Sequence, residues 1–313
     1  MKITGTFIDA LSSDITPLNW GIREWDKEFY LMKQLGIDTV VLLRTGFKEW
    51  LCYPSEFLQR TEGYFKPPFD FLKMYLELAE KYGIKLFVGT YNSNHDWLSA
   101  AYNVDKEAEV IMESVNEIWG NYGKSPAFAG WYMTHEISRK ISFRVVELFQ
   151  KIVPHCKKIS GNLPVLMSPG MDGIKAGHKS PRLAVTPEEH REDWDWIMGE
   201  LSGIVDIIAF QDGHVDFKLL GEFLSINSEL AKKHKIECWT NAESFDRDLG
   251  HAVFPPIRWD KLLLKLETAE RTNHKKAITF EFPHFMSPYS VYPGAKYLLD
   301  RYCEHYNLTY EPV

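Results

Sequence analysis

Cysteine is scarce in this sequence, with only Cys52, Cys156, Cys238 and Cys303 among 313 residues. The four lie far apart and form no Cys-x-x-Cys pair, so the sequence indicates neither a zinc site nor a redox motif of that kind. We expect four reduced thiols, as in a cytosolic protein, although the number would also allow two disulfides.

Concentrated positive charge and long apolar runs are also lacking. Lys and Arg total 36 against 43 Asp and Glu, which gives a net charge of -7, and the lysines cluster only as pairs. A nucleic-acid surface usually needs a basic patch, and a membrane helix needs about 20 predominantly apolar residues in a row. We therefore expect neither nucleic acid nor membrane as a partner.

No charged leader followed by an apolar segment precedes the first apolar run at residues 3–8. If Met1 is the native start, this predicts a cytoplasmic protein. A secreted chain whose leader had been removed would look the same. Linkers, repeats and low-complexity segments are not evident, so we expect one domain over residues 1–313, of unknown oligomeric state.

The chain alternates short apolar runs with amphipathic patterns. Continuous apolar runs separated by helices are typical of parallel strands buried on both faces. Eight such repeats predict a single (β/α)₈ barrel, an α/β fold, with long loops such as 45–68 and 171–187. The predicted strands are 3–8, 39–43, 85–90, 128–133, 164–167, 206–210, 236–240 and 277–280, and the predicted helices lie near 25–35, 69–82, 105–122, 142–158, 187–201, 217–233, 257–271 and 294–305.

Active sites of such barrels lie where the strands end. Polar residues follow most of the predicted strands, which makes them candidates for chemistry or substrate binding. They are Asp9, Arg44, Tyr91, Asn92, His135, Glu136, Gln211, Asp212, Asn241, Glu243, Glu281 and His284.

Two of these carboxylates stand out because they follow strands nearly opposite each other in the barrel. Glu136 ends the stretch that begins at Phe128, and Glu243 follows the seventh strand. Hydrolysis of a glycosidic bond needs such a pair, one to protonate the leaving oxygen and one to attack or to activate water. A surface salt bridge is the other interpretation of either residue.

The stretches Gly130-Trp131-Tyr132 to Glu136 and Trp239 to Phe245 resemble those of clan A retaining glycoside hydrolases. The chain resembles still more a bacterial glycosidase-like barrel family, domain of unknown function 4434. This resemblance implies Glu136 as general acid/base, Glu243 as nucleophile, and Arg44 as the arginine that keeps the nucleophile ionised. It implies a carbohydrate substrate and no cofactor.

The sequence also departs from the clan. His135 stands where many members have an asparagine that contacts the sugar 2-hydroxyl, and Gln211-Asp212 replace a frequent histidine or tyrosine. Glu281-Phe282-Pro283 stand where a tryptophan is frequent. We expect sugar contacts from these polar positions, namely Asp9, Arg44, Tyr91, Asn92, His135, Gln211, Asp212, Asn241 and Glu281.

Two other functions fit the sequence. Glu136, Asp212, Glu243 and Glu281 could imitate the metal ligands of a sugar isomerase or epimerase, since hard cations accept oxygen ligands. A barrel that binds carbohydrate without catalysis is the third possibility. Aromatic rings suit any sugar pocket, and we expect most of those near strand ends to pack inside: Trp20, Trp50, Tyr53, Tyr64, Phe65, Tyr91, Trp97, Trp239 and Tyr289.

Overall fold

The structure is a computed structural model that describes residues 1–11, 15–173, 184–247 and 254–311. Its strands, in chain order, are β1 (Ile3–Ile8), β2 (Thr39–Leu42), β3 (Gly46–Phe47), β4 (Trp50–Leu51), β5 (Lys85–Gly89), β6 (Tyr91–Asn92), β7 (Phe128–Met133), β8 (Val165–Met167), β9 (Ile207–Gln211), β10 (Glu237–Asn241) and β11 (Ala277–Thr279). Eight of them form a closed barrel in the order β1, β2, β5, β7, β8, β9, β10, β11. The predicted (β/α)₈ fold is confirmed.

Helices connect the barrel strands and cover them. They are α1 (Ile22–Gln34), α2 (Glu56–Thr61), α3 (Phe71–Tyr82), α4 (Val104–Tyr122), α5 (Phe143–Ile159), α6 (Pro187–Leu201), α7 (Leu220–His234), α8 (Trp259–Arg271), α9 (Phe282–Phe285) and α10 (Pro293–Tyr306). All eight predicted helices are present, and α2 and α9 are short additions. None of the described helices is both long and apolar enough to cross a membrane.

Local sequence signals account for the helix ends. Thr186 caps α6 by accepting a hydrogen bond from the Glu189 backbone, and the Glu189 side chain accepts one from the Thr186 backbone. This reciprocal pair satisfies two amide groups that the first turn leaves open. At the C-terminal end of α3, Gly83 terminates the helix with φ at 61°, a conformation that glycine adopts without steric cost.

The barrel interior is filled by a layer of large side chains, and a second core lies between the strands and the helices. The interior layer comprises Phe7, Val41, Leu43, Phe87, Tyr132, Leu166, Ile207, Ala209, Trp239 and Ile278. Gly130 permits this packing, because a Cβ there would collide with the Phe87 ring and the Pro164 carbonyl. The interior is therefore solid, and a site can form only at its mouth.

The segment 45–68 differs from the structureless loop that the sequence predicts. β3 pairs antiparallel with β4 and parallel with β6, and α2 follows. Trp50 and Phe65 are exposed and stack at 4.8 Å between ring centroids. The other predicted loop aromatics are buried or half-buried, as expected.

All four cysteines are buried free thiols. His178 and most of the loop predicted over 171–187 lie outside the described residues.

Candidate active site

A recess opens at the carboxyl ends of the barrel strands, above the interior layer. Counted to its open mouth, with the solvent it admits, it holds about 510 Å³. Aromatic and aliphatic walls surround a few convergent polar groups. The lining residues are Phe7, Leu43, Arg44, Tyr132, Glu136, Gln211, Asn241, Glu243, Phe245, Arg247, Phe254 and Phe280. We call this space the glutamate recess.

Glu136 lies three residues beyond β7 and is exposed within this recess. Gln211 Nε2 donates to its Oε1 at 3.0 Å and to the Ser168 carbonyl at 2.8 Å, so the amide is fixed. Although Glu136 reaches solvent, the protein around the recess desolvates its carboxyl and raises its pKa. The Gln211 hydrogen bond and the charge of Arg44 offset this only in part. Glu136 is thus biased toward the protonated form.

Glu243 follows β10 in the same recess and is only 2% exposed. Arg247 grips its carboxylate with two parallel hydrogen bonds of 2.9 Å, from Nε and Nη2. Burial by itself would raise the pKa of Glu243, but the charge and hydrogen bonds of Arg247 outweigh burial and lower it. Gly213 makes room for this pair, since a Cβ there would collide with the carboxylate and the guanidinium.

Asp212 supports Glu243 from behind. Lys265 of α8 donates to Asp212 Oδ1 at 2.7 Å and to the Glu243 carbonyl at 2.9 Å. Asp212 Oδ1 also accepts the Glu243 backbone N–H at 3.1 Å. Asp212 does not line the recess, and its contact with substrate stays a prediction. A buried carboxylate here instead anchors the loop after β10.

Arg44 lines the recess, but the cation at Glu243 is Arg247. Arg44 Nη2 lies 3.6 Å from Asp9 Oδ2, and its guanidinium stacks 4.3 Å from the Phe47 ring centroid. The expectation that Arg44 would hold Glu243 is therefore corrected in favour of Arg247. Asp9 is buried beneath Arg44 and is not a lining residue, so it orients the arginine rather than the ligand.

Asn241, the last residue of β10, faces the recess as predicted. Its Nδ2 donates to Ser168 Oγ at 3.1 Å, and that hydroxyl donates to the Ala209 carbonyl at 2.7 Å. Among the described residues its Oδ1 has no hydrogen-bond partner. The amide is fixed in orientation by its neighbours.

Tyr91 and Asn92 were expected in the same site, but they lie elsewhere. They form β6, and its pairing with β3 draws this segment away from the barrel mouth. The Tyr91 hydroxyl is hydrogen-bonded to Tyr64 at 2.8 Å, and Asn92 Oδ1 accepts the Asn94 backbone N–H at 2.7 Å. Neither lines the glutamate recess.

His135 also points away from the recess, although it directly precedes Glu136. Its Nε2 lies 3.5 Å from Glu107 Oε1 of α4, and the residue is 3% exposed. Burial by itself would raise the pKa of Glu107, but hydrogen bonds from His135 and Ser93 lower it to about 2. His135 is therefore not among the residues that line the glutamate recess, and its sugar contact stays a prediction.

Glu281 is fully buried and contacts His284 Nδ1. His284 Nε2 donates to the Thr16 carbonyl at 2.6 Å, and burial lowers the pKa of this histidine to about 4. The pair ties the segment after β11 to the loop after β1. Phe280 lines the recess and Glu281 does not, so the contact of Glu281 with substrate stays a prediction.

The carboxylates that were considered as metal ligands are directed at other side chains. Glu243 is bound by Arg247, Asp212 by Lys265, and Glu281 contacts His284. Within the part of the chain that the structure describes, no three His, Cys, Asp or Glu side chains are grouped to hold a metal ion.

Sequence reasoning missed Arg247, the residue with the most direct effect on Glu243. It lies four residues past Glu243 in a loop, where no periodicity marks it. Its guanidinium lies 4.7 and 5.0 Å from the ring centroids of Phe245 and Phe254. A cationic residue close in sequence to a strand-end glutamate was the only available signal.

The family described as Domain of unknown function (DUF4434) matches residues 3–292. The chain belongs to this family. A crystal structure from Bacteroides thetaiotaomicron VPI-5482 shares 44% sequence identity with this DUF4434 chain and a TM-score of 0.93. The match covers 98% of this chain and 94% of that one, whose assignment as an alpha-L-fucosidase is itself provisional.

More distant structures share only the fold with this DUF4434 barrel. A beta-galactosidase from Marinomonas ef1 has a TM-score of 0.62 at 12% identity, over 99% of this chain and 61% of that one. A family 1 β-glucosidase from Thermotoga maritima has a TM-score of 0.56 at 11% identity, over 92% and 90%. A comparison with curated proteins gives no significant match.

Proposed function

We propose that this protein is a glycoside hydrolase that works with retention of configuration, with Glu136 as acid/base and Glu243 as nucleophile. The observation that carries the proposal is that two carboxyls in one recess have pKa values shifted in opposite directions. Desolvation raises the pKa of Glu136, and Arg247 lowers that of Glu243. Pairs of titratable groups with pKa values moved apart indicate acid and base roles.

In the first step, the Glu243 carboxylate attacks the anomeric carbon as the bond to the leaving oxygen breaks. Glu136 gives its proton to that oxygen, so the leaving group departs as an alcohol and a glycosyl ester of Glu243 remains. In the second step, the Glu136 carboxylate takes a proton from water. The water oxygen attacks the anomeric carbon and releases Glu243, which restores both groups.

Three other lining residues would serve this chemistry. Gln211 holds the Glu136 carboxyl from one side, which fixes the direction of proton transfer. The Asn241 amide is oriented by Ser168, and Arg44 is oriented by Asp9. We assign sugar-hydroxyl contacts to the Asn241 and Arg44 groups, since a few fixed polar groups set orientation in mostly apolar pockets.

The relative from Bacteroides thetaiotaomicron directs the choice of first substrate. Because it is 44% identical over nearly the whole chain, we extend the alpha-L-fucosidase assignment to this protein as a proposal. The test is hydrolysis of 4-nitrophenyl α-L-fucopyranoside within a panel of 4-nitrophenyl glycosides, with and without EDTA. We expect turnover that survives chelation.

Two outcomes would contradict the proposal. Activity that EDTA abolishes and a divalent cation restores would favour a metal-dependent enzyme. Absence of turnover across the panel, together with glycan binding that Glu136→Gln leaves intact, would favour a binding protein. Product stereochemistry by NMR tests retention, because an inverting enzyme releases the opposite anomer first.

A further inference from the structure

A second recess opens on the same end of the barrel, beside the glutamate recess. It is built by the segments that follow β2 and β5 and by the start of α4, and it holds about 850 Å³ including its mouth. We call it the tyrosine recess. Its lining residues are Glu62, Tyr64, Tyr91, Ser93, His95, Asp96, Ser99, Ala101, Tyr102, Asn103, Lys106, Glu107 and Val110.

The chemistry of the tyrosine recess suits a neutral sugar. The rings of Tyr64 and Tyr91 lie 5.8 Å apart with a 31° tilt, and Tyr64 is half-buried. Glu107 forms a fixed acceptor below them, because Ser93 Oγ donates to it at 2.6 Å and His95 Nδ1 lies at 3.3 Å. Tyr91 is only 1% exposed, so the accessible ring is that of Tyr64. One aromatic face beside fixed polar groups matches the apolar C–H face and hydroxyl rim of a pyranose.

The position of this recess relative to Glu136 is specific. β5 lies between β2 and β7 in the barrel ring, so the loop after β5 stands next to the loop that carries Glu136. His135 and Glu136 are consecutive but point to different partners: His135 Nε2 contacts Glu107, which lines the tyrosine recess, while Glu136 lines the glutamate recess. A general acid must lie on the leaving-group side of the bond that breaks. The loop after β5, which helps to form the tyrosine recess, is one of the two that flank Glu136, so a leaving group can extend toward this recess.

We propose that the tyrosine recess binds a sugar residue of the leaving group, so that the substrate is a glycan rather than a glycoside of a small alcohol. This inference rests on the proposed function, since it uses Glu136 as the acid. It predicts that the recess contributes to turnover of oligosaccharides and not to turnover of aryl glycosides.

The kinetic test compares 4-nitrophenyl α-L-fucopyranoside with 2′-fucosyllactose. Tyr64→Ala should lower kcat/KM for the trisaccharide about tenfold and leave the aryl fucoside nearly unchanged. Tyr64→Phe keeps the ring and should resemble wild type. Tyr297→Ala on α10, where the ring is 67% exposed outside both recesses, is the matched control. Equal losses on both substrates, or no loss on the trisaccharide, would overturn the proposal.

Two further measurements separate this inference from the proposed function and from misfolding. His95→Ala removes a side chain that is 70% exposed, so it should fold normally and weaken only trisaccharide turnover. Saturation-transfer NMR with lactose tests binding even if neither fucoside is hydrolysed. Lactose signals that disappear in Tyr64→Ala and persist in Tyr297→Ala support the sugar site. If the lactose signals are absent in the wild type, or do not depend on Tyr64, the proposed sugar site is contradicted.

Discussion

Glu243 at the barrel mouth and Glu28 on the buried face of α1 are both almost fully buried carboxyls, yet the pKa values of the two are shifted in opposite directions. Glu28 is 0% exposed and accepts a hydrogen bond from Ser287 Oγ at 2.7 Å. Burial raises its pKa to about 8. Glu243 has the same desolvation, but Arg247 lowers its pKa. A counter-charge in contact, and not depth, therefore decides which buried carboxyl stays ionised.

Glu136 extends the comparison, because it reaches solvent and no cation is bonded to it. Its pKa is raised by desolvation within the recess, in the same direction as that of Glu28. The barrel mouth thus combines one carboxyl with a raised pKa, like that of Glu28, and one carboxyl with a lowered pKa. The four changes below test this contrast, in order of expected effect.

Replacing Glu243 should have the largest effect. Glu243→Ala removes the proposed nucleophile, so kcat should fall about 10⁴-fold or more. Azide can occupy the vacated space and attack the anomeric carbon directly, which gives a glycosyl azide of inverted configuration. NMR of the product checks this. Turnover at the wild-type level, or a retained azide product, would remove Glu243 from the nucleophile role.

Replacing Glu136 should affect substrates unequally. Loss of general acid catalysis costs about 10²–10⁴-fold, and the loss should be greatest for poor leaving groups. With 4-nitrophenyl glycosides the first step should survive in Glu136→Ala, and azide should then attack the glycosyl-enzyme to give a retained product. Initial rates on leaving groups of different pKa provide the measurement. Uniform loss across the series would argue against an acid role.

Replacing Arg247 tests the counter-charge itself. The low-pH limb of kcat/KM reports deprotonation of Glu243, whose pKa Arg247 lowers. Arg247→Met should therefore move this limb to higher pH and reduce activity at neutral pH about 10–100-fold. Arg247→Lys keeps the positive charge but loses the bidentate hydrogen bonds to Glu243, so it should shift the low-pH limb of kcat/KM less. An unmoved limb in Arg247→Met would show that another group keeps Glu243 ionised.

Replacing Glu28 should change stability rather than activity. The folded pKa of about 8 exceeds the ordinary 4.5, so the folded state binds more protons between these values and stability falls as pH rises through them. Glu28→Gln removes this penalty. Its advantage over wild type in the free energy of unfolding should grow by about 3 kcal/mol from pH 5 to pH 8. Urea unfolding at both pH values measures it, and a constant difference would contradict the assignment.

The sequence predicted the barrel and both glutamates because each signal was local. A buried run that ends in polar residues marks the mouth, so Glu136, Gln211, Asn241 and Glu243 were found there. Adjacency to a strand end does not tell which way a side chain faces.

The predicted site residues that lie outside the glutamate recess share that cause. His135 contacts Glu107 of α4, which directs its side chain away from the recess. Tyr91 lies in β6, which pairs with β3 and is therefore held outside the recess. Asp212 faces Lys265 of a helix some fifty residues later. Such contacts depend on tertiary packing between distant segments, which periodicity in one sequence does not encode. Arg247 was missed for a related reason, since it lies in a loop with no repeating pattern.

Gly213 has a consequence for mutational tolerance. It occupies an irregular segment beyond β9, where substitutions are normally accepted. Here the Glu243 and Arg247 side chains occupy the space that a side chain at residue 213 would need. Saturation mutagenesis at position 213 should therefore yield variants that express and fold as barrels but are inactive, serine and alanine included. If Glu243 has the proposed role, substitution at residue 213 would abolish activity by displacing this carboxylate, without altering any charged group.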